Sequence, residues 1–343
     1  MNWMASGPIS TLALAALLLG RPCVAADAVA DFYKGKTVFL QVGSAPGGSY
    51  DLVGRLVSRY MGKYIPGSPT LVVQNVPGGG SLALANQFGN TTPRDGTYFG
   101  VFNTGMATTP LLDAASTHFD PRKFNFLGSP TRGGTLLGVW HAAPIKKYED
   151  LFTTELILGA TGPGAAPYDF PRLTNALSGT KFKIVNGYQG NPQIKLAMQR
   201  GEIGGYAGLS LNNPEYADVL KSKEVLLMAA FGMAQSSKAK DIPLLPLGKT
   251  AEDRQVFELM YAREAYGRLF AAPPEVPAER VAALRSAFEA TLKDPAFLAE
   301  AGKLAIDLEP VTAEELTALT ERVYQTPPEV VARIQSLIAP DKK

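Results

Sequence analysis

Apolar residues in this chain form short continuous runs and helical stripes, separated by glycine-rich segments. The clearest run, from Thr37 to Val42, is rich in β-branched residues and predicts a strand covered on both faces. The glycine-rich stretch 43–50 follows it. From about residue 51, apolar positions at i, i+4 and i+8 predict an amphipathic helix that ends near Gly62. The pattern is therefore strand, glycine loop, helix.

The same order recurs twice. One unit has a strand at 71–73, a loop at 75–81 and a helix through Phe88, and the other has a strand at 156–158, a loop at 161–168 and a helix at 170–177. Further strands are predicted at 98–102, 136–140 and 225–230, with helices at 193–200 and 278–293 and a surface excursion at 236–250. Strands that alternate with helices indicate an α/β fold with mostly parallel sheets.

The N-terminus carries an apolar stretch from Ile9 to Leu19 that is too short to span a membrane and has the length of a signal-peptide core. Small residues at 24–26 then offer a cleavage site before Asp27. No lysine or arginine precedes Arg21, so a buried N-terminal helix is the alternative. We expect residues 1–26 to be a signal peptide that directs the export of the mature protein.

Composition narrows the function. The 343 residues are 46% hydrophobic and carry a net charge of +2, which suits two globular domains and gives no electrostatic case for nucleic acid or an anionic membrane. The single cysteine, Cys23, precedes the predicted cleavage site, so the mature chain would have neither a disulfide nor a thiol nucleophile. His118 and His141 lie in no catalytic or metal-binding motif. We therefore expect no enzyme activity, no cofactor and no metal.

The loops 43–50 and 161–168 contain no Lys, Arg or His. A glycine loop that opens a helix presents unpaired N–H groups and the positive end of the helix dipole, so it can bind an anion without a cationic side chain. We expect capture by backbone donors, without a dedicated arginine. The alternative is that these loops are ordinary turns. Asp51 either caps its helix or lines the ligand site, and Arg55 would pair with it.

Five segments in register resemble the tripartite tricarboxylate transporter receptors, the Bug family. Residues 43–56 match the family's V-G-x-x-P-G-G-x-x-D-x-x-x-R-L motif, residues 73–81 match V-x-N-x-P-G-A-G, and residues 93–98 match P-x-D-G-Y-T. Residues 187–203 match Y-K-G with G-Q-V-D, and residues 267–273 match G-L-F-A-P. The matches run in order from about residue 36 to residue 320. Gln189 replaces the lysine of Y-K-G, and Pro163 and Pro167 remove two N–H donors from the loop 161–168.

The resemblance implies a two-lobed α/β periplasmic-binding-protein fold of type II, the Venus-flytrap architecture. Lobe 1 would comprise residues 27–127 and 263–343, and lobe 2 residues 128–262. The family holds a ligand carboxylate between two loops, and Arg132 and Tyr206 are added here as specificity candidates. The expected ligand-binding residues are Ser44, Pro46, Gly47, Gly48, Ser49, Tyr50, Asp51, Asn103, Thr104, Thr161, Gly162, Gly164, Ala165, Ala166, Tyr168 and Tyr206.

The implied function is capture of a small carboxylate-containing solute in the periplasm. The expected partners are a small organic acid and the membrane permease subunits of a tripartite transporter, with no nucleic acid, and the protein is expected to be a monomer. A periplasmic sensor that presents the solute to a signalling receptor is the alternative, and an enzyme is the third reading.

Overall fold

The computed structural model describes residues 22–210, 216–233 and 239–339, with side chains from residue 28 onward. The predicted signal core lies outside these residues, as does part of the predicted excursion at 236–250. The first helix, α1 (Pro22–Tyr33), runs through the predicted cleavage point before Asp27. Its residues Val29 and Tyr33 are buried in the core of the first sheet, so the part of α1 beyond that point contributes to the fold.

Ten strands of the described chain form two five-stranded sheets. The first has the order β2-β1-β3-β10-β4 and comprises β1 (Thr37–Val42), β2 (Thr70–Asn75), β3 (Tyr98–Phe102), β4 (Asn125–Gly128) and β10 (Leu269–Ala272). The second has the order β7-β6-β8-β5-β9 and comprises β5 (Thr135–Trp140), β6 (Leu156–Gly159), β7 (Phe182–Val185), β8 (Gly205–Leu209) and β9 (Val225–Phe231).

Both sheets have the same topology. In each, three neighbouring strands are parallel and an inserted strand, β10 or β5, pairs antiparallel with both of its neighbours. Each inserted strand follows a crossover from the other sheet: β5 comes after β4, and β10 comes after the helices that follow β9. The predicted two-lobed α/β fold is confirmed, with a larger antiparallel share than "mostly parallel" implied.

The helices cover the sheets and join them. They are α2 (Ser49–Met61), α3 (Leu82–Asn90), α4 (Thr109–Leu112), α5 (Ala166–Ser178), α6 (Asn191–Gln199), α7 (Ala217–Lys221), α8 (Ala251–Ala262), α9 (Ala278–Thr291), α10 (Pro295–Lys303), α11 (Ala313–Tyr324) and α12 (Pro328–Ile338). Helices α2 and α9 share a core with β1 and β3, and α5, α8 and α12 share one with β6. No helix within the described residues is long and apolar enough to cross a membrane.

The two crossovers are hydrogen-bonded to each other. Gly133 N–H donates to the Glu264 carbonyl (2.8 Å), and Thr135 Oγ1 donates to Glu264 Oε2 (2.9 Å). Gly267, at φ +56°, lies so close to the Thr131 carbonyl that a Cβ would collide with it. The C-terminal helices form a third link, because α11 packs on β4 whereas α12 packs on α5 and α8. The predicted lobe boundaries stay a prediction.

Candidate functional site

Three loops meet where the carboxyl ends of parallel strands approach the junction of the two sheets. The first loop (43–48) joins β1 to α2, the second loop (161–165) follows β6 and leads into α5, and the third loop (103–107) follows β3. Ligands of open α/β sheets bind outside the carboxyl ends of strands, at the point where the strand order reverses. In both sheets this point adjoins the central parallel strand, β1 or β6.

Asp51 holds the first loop in shape. Its Oδ2 accepts the Gly47 N–H and the Arg55 Nε–H (both 2.9 Å), and its Oδ1 accepts Nδ2 of Asn75 (2.8 Å). Burial raises the pKa of Asp51, but the hydrogen bonds from Arg55, Gly47 and Asn75 outweigh burial and hold that pKa below its ordinary value. The expected ion pair with Arg55 is confirmed.

The cap prediction for Asp51 is wrong in one respect. The N-cap of α2 is Gly48, which makes no side-chain cap bond, and Asp51 lies three residues further on, in the first turn. A carboxylate there reaches back past the N-cap because the chain turns sharply at Gly47, at φ +83°. Asp51 therefore fixes the loop, and its direct contact with a ligand stays a prediction.

The start of α2 leaves donors available. The N–H groups of Gly48, Ser49, Tyr50 and Asp51 have no acceptor among the described residues, as expected for the first turn of a helix without a side-chain cap. Ser49 is 6% exposed, and Pro46 and Gly47 form the exposed tip of the loop. The Ser44 Oγ is buried and has no protein partner in the described part of the chain. These groups suit an anion placed at the helix end.

The second loop repeats this arrangement with fewer donors. Gly164, at φ +85°, donates its N–H to Asp169 Oδ1 (3.1 Å). Pro167 has no N–H, and the N–H groups of Tyr168 and Asp169 both donate to the Ala165 carbonyl (3.0 Å each). Among the described residues, acceptors are lacking for the backbone N–H groups of Thr161, Gly162 and Ala166. The prolines and the local turn thus leave the second loop the weaker anion site.

The third loop ties the other two together. The Asn103 N–H donates to Ser81 Oγ, which in turn donates to the Gly43 carbonyl (2.9 Å each). The Thr104 N–H donates to the Tyr50 hydroxyl (3.4 Å). A Cβ on Gly105 would lie 2.7 Å from the Gly164 carbonyl, so the third loop touches the second directly. The predicted ligand-binding residues that fall within 44–51, 103–104 and 161–166 therefore share one region.

Three predicted specificity or ligand residues have side-chain partners outside the three loops. Tyr206 belongs to the core beneath α6 and α7, donates its hydroxyl to Asn191 Oδ1 (2.7 Å) and stacks on Tyr216. Tyr168 is 4% exposed, and the Arg172 guanidinium lies over its ring, 5.6 Å from the centre of the Tyr168 ring. Arg132 pairs with Glu309 (3.4 Å) and Glu315 (3.0 Å) on the surface. The Tyr168 N–H does contact the second loop at the Ala165 carbonyl, whereas these contacts of Tyr206 and Arg132 lie outside the three loops. The ligand roles of all three residues stay predictions.

Sequence reasoning missed a charged group behind the loops, formed by the buried Arg263 and Arg268 and the half-buried Glu264. The Arg268 guanidinium lies 5.4 Å from the Tyr50 ring centre and donates to Thr131 Oγ1 (3.2 Å). Burial raises the pKa of Glu264, while the Thr135 hydrogen bond and then the two arginines oppose that rise. Burial also raises the pKa of the Tyr50 hydroxyl. The loops themselves lack cations, as expected, yet buried arginines stand directly behind them.

One signal for this group was available in the sequence. Arg268 falls inside the G-R-L-F-A-A-P segment that carries the family resemblance, whereas Arg263 and Glu264 fall in no matched motif. Within the described residues, no cluster of three or more His, Cys, Asp or Glu side chains has the geometry to hold a metal ion. The site therefore offers a ligand hydrogen bonds from backbone N–H groups. The charged side chains behind the loops bond to other groups of the protein.

No protein-family model matches the chain. Two curated UPF0065 proteins are similar in sequence. The one in the TAR-I ttuE-ttuC' intergenic region of Agrobacterium vitis is 29% identical over 274 residues, covering 77% of this chain and 74% of that protein. The one in the gbd 5' region of Cupriavidus necator is 24% identical over 245 residues, covering 68% and 71%.

Several solved structures share the fold. The periplasmic binding protein BugD has a TM-score of 0.68 at 19% identity, covering 89% of this chain and 98% of its own. An R. palustris protein with adipate has a TM-score of 0.67 at 19% identity (88% and 97% covered), and MatC from Rhodopseudomonas palustris with bound malate has 0.65 at 19% (88% and 99%). The similarities of sequence and fold confirm the predicted resemblance to the tripartite tricarboxylate transporter receptors, the Bug family of solute-binding proteins.

Proposed function

We propose that this protein is a periplasmic receptor that captures a small carboxylate-containing solute between its two lobes and delivers it to a tripartite tricarboxylate-type transporter. One observation carries the proposal. The helices α2 and α5 begin at matched places in the two lobes, without side-chain caps, behind loops that contain no charged side chain. Such ends bind anions through N–H groups and the helix dipole.

The energetics are adequate for capture. A hydrogen bond to a charged group contributes about 1.5–3 kcal/mol. A micromolar dissociation constant corresponds to about 8 kcal/mol. The N–H groups of 48–51, with those of the second loop, supply enough donors after the cost of ordering is met. The ligand would favour the closed form because only closure brings both sets of donors to it.

The ligands of proteins with the same fold also support the proposal of a carboxylate receptor. Solved structures of this fold include one with bound malate and one with adipate, both dicarboxylates. The apolar segment 9–19 would act as the export signal, and mature residues from 27 onward would form the two lobes with the predicted boundaries. We propose a monomer that docks on permease subunits, without catalysing a reaction on its ligand.

A thermal-shift screen tests the proposal directly. The mature protein is heated with millimolar mono-, di- and tricarboxylates, both aliphatic and aromatic, and with the neutral amides of the same acids as matched controls. Ligand at about 100 times its dissociation constant stabilises the native state by about 2.7 kcal/mol, which raises the melting temperature by several degrees. At least one acid is expected to raise it while its amide does not. Equal shifts for acid and amide, or no shift with any acid, would overturn the carboxylate assignment.

A further inference from the structure

Arg263 is a fully buried cation at the end of α8, where the chain leaves the second lobe for β10. Its Nη1 donates to Asp169 Oδ2 (2.7 Å), and neither side chain of this pair is exposed to solvent. Its Nη2 donates to the Gly164 carbonyl, and the guanidinium lies 5.6 Å from the Phe170 ring centre. The side chain thus joins the crossover to the second loop and to the start of α5.

Arg263 and Asp169 hold Gly164 from both sides. Asp169 accepts the Gly164 N–H, and Arg263 donates to the Gly164 carbonyl. An arginine fork can bond two acceptors at once in a fixed plane, and hydrogen bonds to ionised groups are about twice as strong as neutral ones. Gly164 is also at φ +85°, a conformation that needs support from its surroundings. The shape of the second loop is therefore set by a residue 99 positions away in sequence.

The first loop is built differently. Its aspartate, Asp51, pairs with Arg55 on the same helix, and the Arg55 side chain is 43% exposed. That loop takes its shape from contacts within the first lobe, through Asp51, Asn75 and Ser44. The second loop, in contrast, is held by hydrogen bonds from Arg263 of the crossover.

The third loop, which belongs to the first lobe, contacts both Gly164 and Arg263. A Cβ on Gly105 would lie 2.7 Å from the Gly164 carbonyl and 2.8 Å from Arg263 Nη2, closer than real Cβ atoms approach other atoms. Glycine is thus required at 105 for the third loop to seat on Gly164 and Arg263. The backbone angles of Gly105 themselves are open to any residue, since its φ is not in the left-handed region.

We infer that Arg263 is the positioning residue of the ligand site, which holds the second loop in its binding conformation when Gly105 seats against it. The inference rests on the proposed function, because it assigns how that site is kept in shape. Opening of the lobes would withdraw Gly105 and move the crossover, so the second loop would lose its support when the ligand leaves. Ligand affinity and lobe closure would then be coupled through one side chain.

Two variants test this without removing the buried charge. Arg263→Lys keeps the cation near Asp169 but loses the fork to the Gly164 carbonyl. Gly105→Ala keeps both charged side chains of the ion pair and adds one methyl group at the seat. The matched control is Gly134→Ala in the other crossover, where a Cβ meets nothing within 4 Å. Amide hydrogen exchange across 160–169 is measured by mass spectrometry in the whole mature protein, together with the melting temperature.

In both variants the Gly164 and Ala165 amides should exchange faster, whereas exchange of the first loop should not change. In the control Gly134→Ala, exchange across 160–169 should equal that of the wild type. Affinity for the best acid in the carboxylate screen should fall about tenfold in both, the equivalent of one lost hydrogen bond. Should Arg263→Lys fail to fold, Gly105→Ala alone decides. Unchanged exchange at 160–169 in a folded Arg263→Lys protein, or in Gly105→Ala where that variant decides alone, overturns the inference. Faster exchange in a protein that no carboxylate stabilises would instead reject the proposed function and leave the loop-positioning role standing.

Discussion

Gly47 and Gly164 occupy equivalent places in the two lobes. Each lies directly before a helix N-cap, at φ +83° and +85°, and each donates its N–H to an aspartate in the first turn of that helix. The aspartate therefore draws one N–H inward, and the chain reversal at the glycine turns the next peptide groups outward. Both lobes thus use one local design to present uncapped helix ends towards the same region.

The residue after Gly47 offers the sharpest test of this design. Gly48 has φ −81° and ψ 169°, which any residue adopts, and a Cβ there would lie 3.7 Å from its nearest neighbour, the Ala45 carbonyl. Gly48→Val should fold normally, because it introduces neither strain nor a clash. Its branched side chain should cover the N–H groups of Ser49 and Tyr50 and weaken carboxylate binding by roughly 100-fold, the loss of about two charge-assisted bonds.

Calorimetric titration with the best acid from the screen measures the loss of affinity. Urea unfolding measures the stability of the variant separately. Gly302→Val in α10, where a Cβ meets nothing within 4 Å, is the control for a general loss of stability. Retained affinity in Gly48→Val would remove α2 from the site. Gly164 is a poorer test, because a side chain at φ +85° costs about 1–2 kcal/mol in the second loop and mixes strain with binding.

Asp51→Ala should weaken both the loop and the binding of ligand. The change leaves the Gly47 N–H and Asn75 Nδ2 without their acceptor and should cost about 1–3 kcal/mol in unfolding free energy. Affinity should fall about tenfold as Gly47 relaxes. Arg55→Ala is the matched comparison, since the half-exposed Arg55 pair contributes about 1 kcal/mol or less. Urea unfolding and titration that rank Arg55→Ala as the more damaging change would contradict the role given to Asp51.

Local features of the fold were readable in the sequence. The strand predictions at 37–42 and 98–102 match β1 and β3 residue for residue, because short apolar runs that are rich in β-branched or aromatic residues and bounded by turn residues favour a strand. The anion-ready loops were also found, since glycine content and the absence of charge are local properties. The helix starts were placed late, at about 51 and 170 rather than 49 and 166, because the uncapped helix ends carry no Ser, Thr, Asp or Asn signal at the N-cap.

What the sequence did not show depends on distant partners. Asp169 and Arg263 are 94 residues apart. The sequence around each residue gives no sign that the two form an ion pair. The inserted strands β5 and β10 run antiparallel only because each enters its sheet from the other lobe. The hydrogen bond from the Tyr206 hydroxyl to Asn191 is another contact that periodicity does not reveal.

The Asp169–Arg263 pair should show strong coupling in stability. Arg263→Met leaves a carboxylate buried without its cation and should lower the unfolding free energy by about 3–5 kcal/mol. The double variant Arg263→Met, Asp169→Leu removes both charges and should recover most of that loss, since burial of an ion pair is itself costly. Urea unfolding of the two single variants and the double variant closes the cycle. Additive losses would mean that the pair is not coupled.

Acid stability should depend on Asp294, the N-cap of α10. Its Oδ1 accepts the Ala296 N–H (2.7 Å) and the Phe297 N–H (3.3 Å), while Lys63 and the Tyr64 hydroxyl bond its Oδ2. The Lys63 hydrogen bond is the main reason that the pKa of Asp294 falls from 3.8 to about 2. A carboxyl whose pKa is lower in the folded than in the unfolded protein stabilises the fold above the unfolded pKa, and that stability is lost as pH falls through the folded pKa.

The window for this contribution is therefore pH 4 to 2. Asp294→Asn keeps a good N-cap but loses the charge, so it should be less stable than the wild type at pH 7 and equally stable near pH 2. Lys63→Met should narrow the window from its acid side, because the pKa of Asp294 then rises toward its ordinary value. Urea unfolding from pH 7 to pH 2 measures the difference between wild type and each variant. A difference for Asp294→Asn that stays constant across this range would show that the Asp294 carboxylate does not carry the acid sensitivity.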